Sequence, residues 1–123
     1  MKKLLGLVLG LFLTVSTFAN GIVTYSDSKT SEIAKTSGVF NFSFDSQFSL
    51  DDINKASAYY TSYFLVTSVT TGENISVNIN LAIDNQMSRR IVTRFFVTLS
   101  VKSIMVDGKE IQIDKFIETY VMK

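Results

Sequence analysis

Between Asn74 and Lys102 lie two apolar-patterned runs joined by a short polar break, and this stretch constrains the fold more than any other. In the first arm Ile75, Val77, Ile79, Leu81 and Ile83 alternate without interruption against Ser76, Asn78, Asn80 and Ala82. A period of two gives one buried and one polar face, so this arm reads as a half-exposed antiparallel strand. The second arm fits two periods. At period two, Ile91, Thr93, Phe95, Val97, Leu99 and Val101 share one face, while Arg90, Arg94, Thr98, Ser100 and Lys102 share the other. At helical spacing, Met87, Ile91, Phe95 and Leu99 make a stripe with Val92 and Phe96 beside it. We read it as a strand, because Val97 and Val101 would fall on the polar side of a helix and the run is crowded with Val, Thr and Phe. Residues 74–102 then form a β-hairpin.

Upstream, Phe40, Phe42 and Phe44 alternate with Asn41, Ser43 and Asp45, which predicts a strand over 39–45 with three rings on its core face. Ser49 is placed to cap a helix, Asp51 and Asp52 suit the positive end of its dipole, and Ile53, Ala56, Tyr60 and Phe64 recur at helical spacing. A helix over about 50–64 follows. Adjacent helical side chains point about 100° apart, so the two aspartates do not converge on a catalytic or calcium site. Leu65–Thr71 is β-branched and predicts a strand that turns at Gly72-Glu73-Asn74.

Downstream, Val106-Asp107-Gly108-Lys109 is a two-residue hairpin signal of the type I′ kind. The apolar positions change from odd to even between Val101 and Ile104, which predicts a β-bulge near Lys102–Ser103. A last strand is expected over about 110–121, broken near Lys115. Residues 20–38 are mostly small and polar and are expected as a flexible leader, with a short edge strand at Ile22–Tyr25 and a helical turn before Gly38 as its only structure.

These elements predict an α+β domain at 39–123, one strand followed by one helix packed on a meandering antiparallel sheet of four to five strands. That order resembles the cystatin-like layout at the level of topology alone. The alternative, with a second helix at about 86–100, has the ferredoxin-like order βαββαβ.

Lys2 and Lys3 precede an apolar run from Leu4 to about Val15 and a small-residue exit at Ala19, the pattern of a secretory signal peptide over 1–19. The run is shorter than the ~20 residues that span a bilayer, and no transmembrane helix is expected in the mature chain. Export to a periplasm, to the cell surface or out of the cell follows, and the short basic start leans bacterial.

Composition narrows the chemistry. The chain has no Cys, so it forms no disulfide and offers no thiolate ligand or nucleophile. It has no His, the usual general base near neutral pH and the commonest transition-metal ligand. Twelve basic groups against eleven acidic give no footprint for nucleic acid. No phosphate loop, nucleophile elbow or histidine triad is present, so we expect no catalytic residue, no metal site and no cofactor. The strand reading of 86–102 creates one polar stripe, Arg90, Arg94 and Lys102 beside Asn78 and Asn80, which could dock an anionic group. The expected function is an exported, non-catalytic binding module for a protein or surface macromolecule, with a structural subunit of a surface or outer-membrane assembly as the alternative.

Overall fold

The rings of Phe40, Phe42 and Phe44 define the inner face of strand β2 (Val39–Phe44), and the sheet is built outward from them. The computed structural model describes residues 21–123; the leader expected over 1–19 lies outside the described residues. On one side β2 pairs with β4 (Asn74–Leu81), Phe42 opposite Val77, and β4 pairs in turn with β3 (Phe64–Thr71). On the other side lie β1 (Val23–Tyr25), β5 (Ser103–Val106) and β6 (Lys109–Gln112), giving the order β3-β4-β2-β1-β5-β6. Every pairing is antiparallel except the parallel one between β1 and β5, which matches Thr24 with Met105.

Four helices accompany the sheet among the described residues: α1 (Ser31–Ser37), α2 (Leu50–Ala58), α3 (Gln86–Thr98) and the short α4 (Ile113–Phe116), which runs on into a π-helical turn over Ile117–Val121. Ile53 and Ala56 of α2, Val92, Phe95 and Phe96 of α3, and Phe116, Ile117 and Val121 at the C-terminal end join the inner face of the sheet in one core. Its centre is aromatic. Phe96 meets Phe42 edge-on at 5.0 Å, and Phe116 meets Tyr25 in the same way at 5.0 Å. Such geometry sets the positive ring edge against the negative ring face.

The second arm of the expected hairpin is therefore helix α3, a correction with a local cause at each end. Asn85 caps the helix, its Oδ1 accepting the Ser88 N–H at 2.8 Å. At the other end Ser100 takes a left-handed conformation, φ 62°, its N–H reaching the Val97 carbonyl and the Val101 N–H reaching that of Phe96, both at 2.9 Å. This is a Schellman closure, with serine where glycine is usual. The reversal carries Val101 into the core rather than onto a polar helix face, while Val97 stays exposed. It also removes the expected bulge at Lys102–Ser103, because the change of apolar parity marks the passage from helix to strand. Ser100→Gly relieves the left-handed penalty and is expected to raise the unfolding free energy by roughly 0.5–1 kcal/mol, read as a higher urea midpoint at unchanged slope.

The strands at 39–45 and 65–71 hold as β2 and β3, the one expected over 75–83 ends at Leu81 as β4 and leaves Ile83 exposed rather than on the buried face, and the Asp107-Gly108 hairpin forms with positive φ at both residues, 50° and 79°. Ser49 caps α2, its Oγ accepting the Asp52 N–H at 3.0 Å, but α2 closes at Ala58 and the chain continues through turns to β3. The last strand ends at Gln112. Beyond it Ile113, Phe116, Ile117 and Val121 turn helical, which puts all four in the core.

Of the leader expected over 20–38, the described residues 21–38 contribute β1, a 3-10 turn over Ser28–Thr30, and α1. Strand β1 is not at an edge; Val23 and Tyr25 are buried between β2 and β5. Gly38, at φ 75°, ends α1; the left-handed conformation selects glycine, and a Cβ there would also press on the Leu81 side chain at 3.2 Å. The run β2-α2-β3-β4-α3-β5 has the βαββαβ element order of the alternative expectation, with β1 inserted between β2 and β5 and β6 added outside β5. The sheet is thus six-stranded and mixed, not an antiparallel meander of four or five strands.

Candidate interaction surface

The expected cationic stripe is not assembled. Arg90 and Arg94 project from the exposed side of α3, and Lys102 lies exposed in the link to β5. Asn78 and Asn80 belong to the other face of the sheet, away from α3, with their side chains alternating against the buried Val77 and Ile79. A carboxylate or sulfate bound by the arginines would not reach the asparagines.

The buried cation is instead Arg89, 1 % exposed, to which the strand pattern gave no role. Its Nε donates to Asp84 Oδ1 at 2.8 Å and its Nη2 to Asp84 Oδ2 at 3.1 Å. The same Nη2 donates to the Lys35 carbonyl at 2.7 Å and Nη1 to the Val121 carbonyl at 2.6 Å. One guanidinium fork thus ties α1, α3 and the C-terminal turn together, and its five donors in a plane suit it to that task. The hydrogen bond from Arg89, then that from Lys123 at 3.1 Å, holds the Asp84 carboxyl down at about 2, below its usual 3.8. A depressed folded-state pKa contributes stability above the unfolded value and loses it as pH falls through the folded one. The wild type is expected to lose stability between pH 3.8 and about 2, and Asp84→Asn to show less acid sensitivity in that window, compared by urea unfolding at a series of pH values. Asp84 is 39 % exposed, so solvent screening keeps the effect small.

Tyr25, by contrast, is perturbed inside the core. Burial, then the neighbouring Asp27 and Tyr120, pushes its phenol far above the usual range, so it stays protonated and offers no acid–base chemistry near neutral pH.

The face of the sheet away from α3 is polar along its middle. Asn78 Nδ2 donates to Asn41 Oδ1 at 2.7 Å across the β2–β4 pairing, and Asp27 accepts from the Asn41 N–H at 2.8 Å. Beside this ladder lies a shallow depression of about 320 Å³ lined by Ser26, Asn41, Thr67, Val69, Ser76 and Asn78. Leu65 and Val69 of β3 stand on the same face, 57 % and 58 % exposed.

Strand β3 is also the free edge of the sheet. The Tyr63 carbonyl accepts the Ala82 N–H at 3.0 Å, which fixes the alternation: odd-numbered residues of β3 direct their backbone groups to β4, and Val66, Ser68 and Thr70 direct theirs outward. Across Phe64–Thr71 this edge carries no charge and no proline. The opposite edge, β6, is four residues long and carries Lys109 and Glu110. Short length and charge are the usual protection of a sheet edge, and β3 has neither.

Elsewhere an open depression of about 430 Å³ lies between α2 and the end of α3 and contains one carboxylate, Asp52. Asp51 is paired with Lys55 at 3.0 Å. Among the described residues no three His, Cys, Asp or Glu side chains gather as a metal site would require. Compared with known proteins, the chain matches no family model, no curated protein and no solved structure.

Proposed function

We propose that this chain is an exported, non-catalytic binding module that takes a partner polypeptide as an added strand on the β3 edge. The observation that carries this reading is the eight-residue, uncharged edge with outward backbone groups at Val66, Ser68 and Thr70, flanked by exposed Leu65 and Val69. Backbone pairing supplies affinity without special side chains on the partner, and the two apolar side chains supply selectivity for alternate positions of the added strand. Export rests on the signal-peptide pattern of residues 1–19, and loss of export on deleting that segment, followed by cell fractionation, is the expected result.

The binding itself is tested by selecting extended peptides from a displayed library and mapping amide exchange. Binders are expected to protect the amides of Val66, Ser68 and Thr70. Protection confined to α3, or no binder stronger than about 1 mM, would count against the edge. The same edge also suits the alternative, a structural subunit of a surface or outer-membrane assembly, which is expected to fractionate with membranes as an oligomer needing detergent for release.

A further inference from the structure

We propose that the strand added to β3 is β3 of a second copy, antiparallel about a twofold axis at Thr67; this rests on reading β3 as a strand-addition edge. An edge pairs with itself only if its outward groups, its side chains and its charges are all self-complementary. The outward backbone groups of β3 sit on even-numbered residues. With Thr67 opposite Thr67 of the second copy, Val66 faces Ser68 as a hydrogen-bonded pair whose free N–H and C=O groups close both ways, while the outer Phe64–Thr70 position has one bond to offer, because the Phe64 N–H is given to the Tyr60 carbonyl.

The odd-numbered residues become the closer, non-hydrogen-bonded pairs on the uncovered face. Leu65 then lies opposite Val69, twice by symmetry, and Thr67 opposite Thr67. The two apolar side chains left exposed at 57 % and 58 % cover each other, and a threonine pair sits at the centre. Moving the register by one hydrogen-bonding step puts Leu65 opposite Thr67 in one direction and Thr71 in the other, so the apolar match is lost. Charge selects the same partner. The strand has no ionic group to oppose its own image, whereas β6 would set Lys109 and Glu110 against a register of four residues.

Single cysteines test the register, since the chain has no thiol of its own. Cα atoms of a non-hydrogen-bonded antiparallel pair lie about 4.5 Å apart, within the range a disulfide spans. In the proposed register two copies of residue 65 are four residues out of line, about 13 Å apart along the strands. Thr67→Cys in the full chain is expected to oxidise to a linked dimer, and Leu65→Cys to remain unlinked under the same oxidant. In sedimentation of the reduced protein, Thr67→Lys, which puts like charges face to face only in the self-pair, is expected to raise the dimer Kd about fivefold with an unchanged circular dichroism spectrum.

Equal linkage of the two cysteine variants, or a wild type that sediments as a monomer up to about 1 mM, overturns the proposal. If that monomer nevertheless binds an extended peptide that protects the Val66 and Ser68 amides, self-pairing fails and strand addition stands. A dimer in which those amides stay open to exchange overturns self-pairing, and if no extended peptide protects them either, strand addition falls with it.

Discussion

Arg89→Ala is expected to lower the unfolding free energy by about 3–5 kcal/mol, among the largest losses any single substitution here should cause. Truncation removes the guanidinium from all its partners at once. The Lys35 and Val121 carbonyls lose their donors, and an unpaired buried acceptor costs about 1–3 kcal/mol. The stem also leaves a void between α1, α3 and the C-terminal turn. Asp84 contributes less to the loss, because it is 39 % exposed and keeps its bond from Lys123. Arg89→Lys tests the geometry separately from the charge. A single ammonium cannot reach two carbonyls and both carboxylate oxygens, so at least about 2 kcal/mol of the loss is expected to remain. Urea unfolding followed by circular dichroism measures both, and a loss under about 1 kcal/mol for the alanine variant would mean the fork does not join these elements.

Phe96→Ala is expected to cost about 3–5 kcal/mol, the usual range for deleting a buried ring. Phe96 is fully buried and lies against the rings of Phe42, Phe44 and Phe95. The substitution also separates the two periods that residues 86–102 fit. In a strand, Phe96 would share its face with Arg94 and Thr98 and its loss would be nearly neutral, with the cost falling on Phe95 alone. In α3 both phenylalanines enter the core, so alanine at either position is expected to destabilise strongly and the exposed Val97→Ala to change little. Equilibrium unfolding of the three variants decides between them.

Strand β3 was legible because its residues are largely β-branched, and β2 and β4 because each carries its burial pattern locally, in the rings of Phe40, Phe42 and Phe44 and in the alternation from Ile75 onward. The cap at Ser49 and the Asp107-Gly108 turn were legible for the same reason. Helix α3 was hidden because two of its buried positions are Ser88 and Arg89, which a hydrophobic pattern counts against burial, and because its end is closed by a serine in a conformation that usually signals glycine. In the C-terminal segment Ile113, Ile117 and Val121 are all odd-numbered, so period two and helical spacing coincide, and only Phe116 favours the helix.

The anion stripe inherited the wrong period of one segment and came apart with it. The uncharged, β-branched character of Leu65–Thr71 could be read directly, but that this strand ends the sheet could not. Edge position depends on which strands β4 and β2 choose as neighbours, and that choice is made between residues far apart in the chain.

Strand β1 holds three residues, yet it alone joins β2 to β5 and so links the two halves of the sheet. It is among the first of the described segments to be synthesised, and its second partner comes from near the end of the chain. Until β5 arrives, the growing chain has an open edge at its centre. Loss of Gly21–Tyr25 would open the sheet at the same place, exposing β2 and β5 as two new edges above an unsealed aromatic core. Removal of these five residues is therefore expected to cause aggregation.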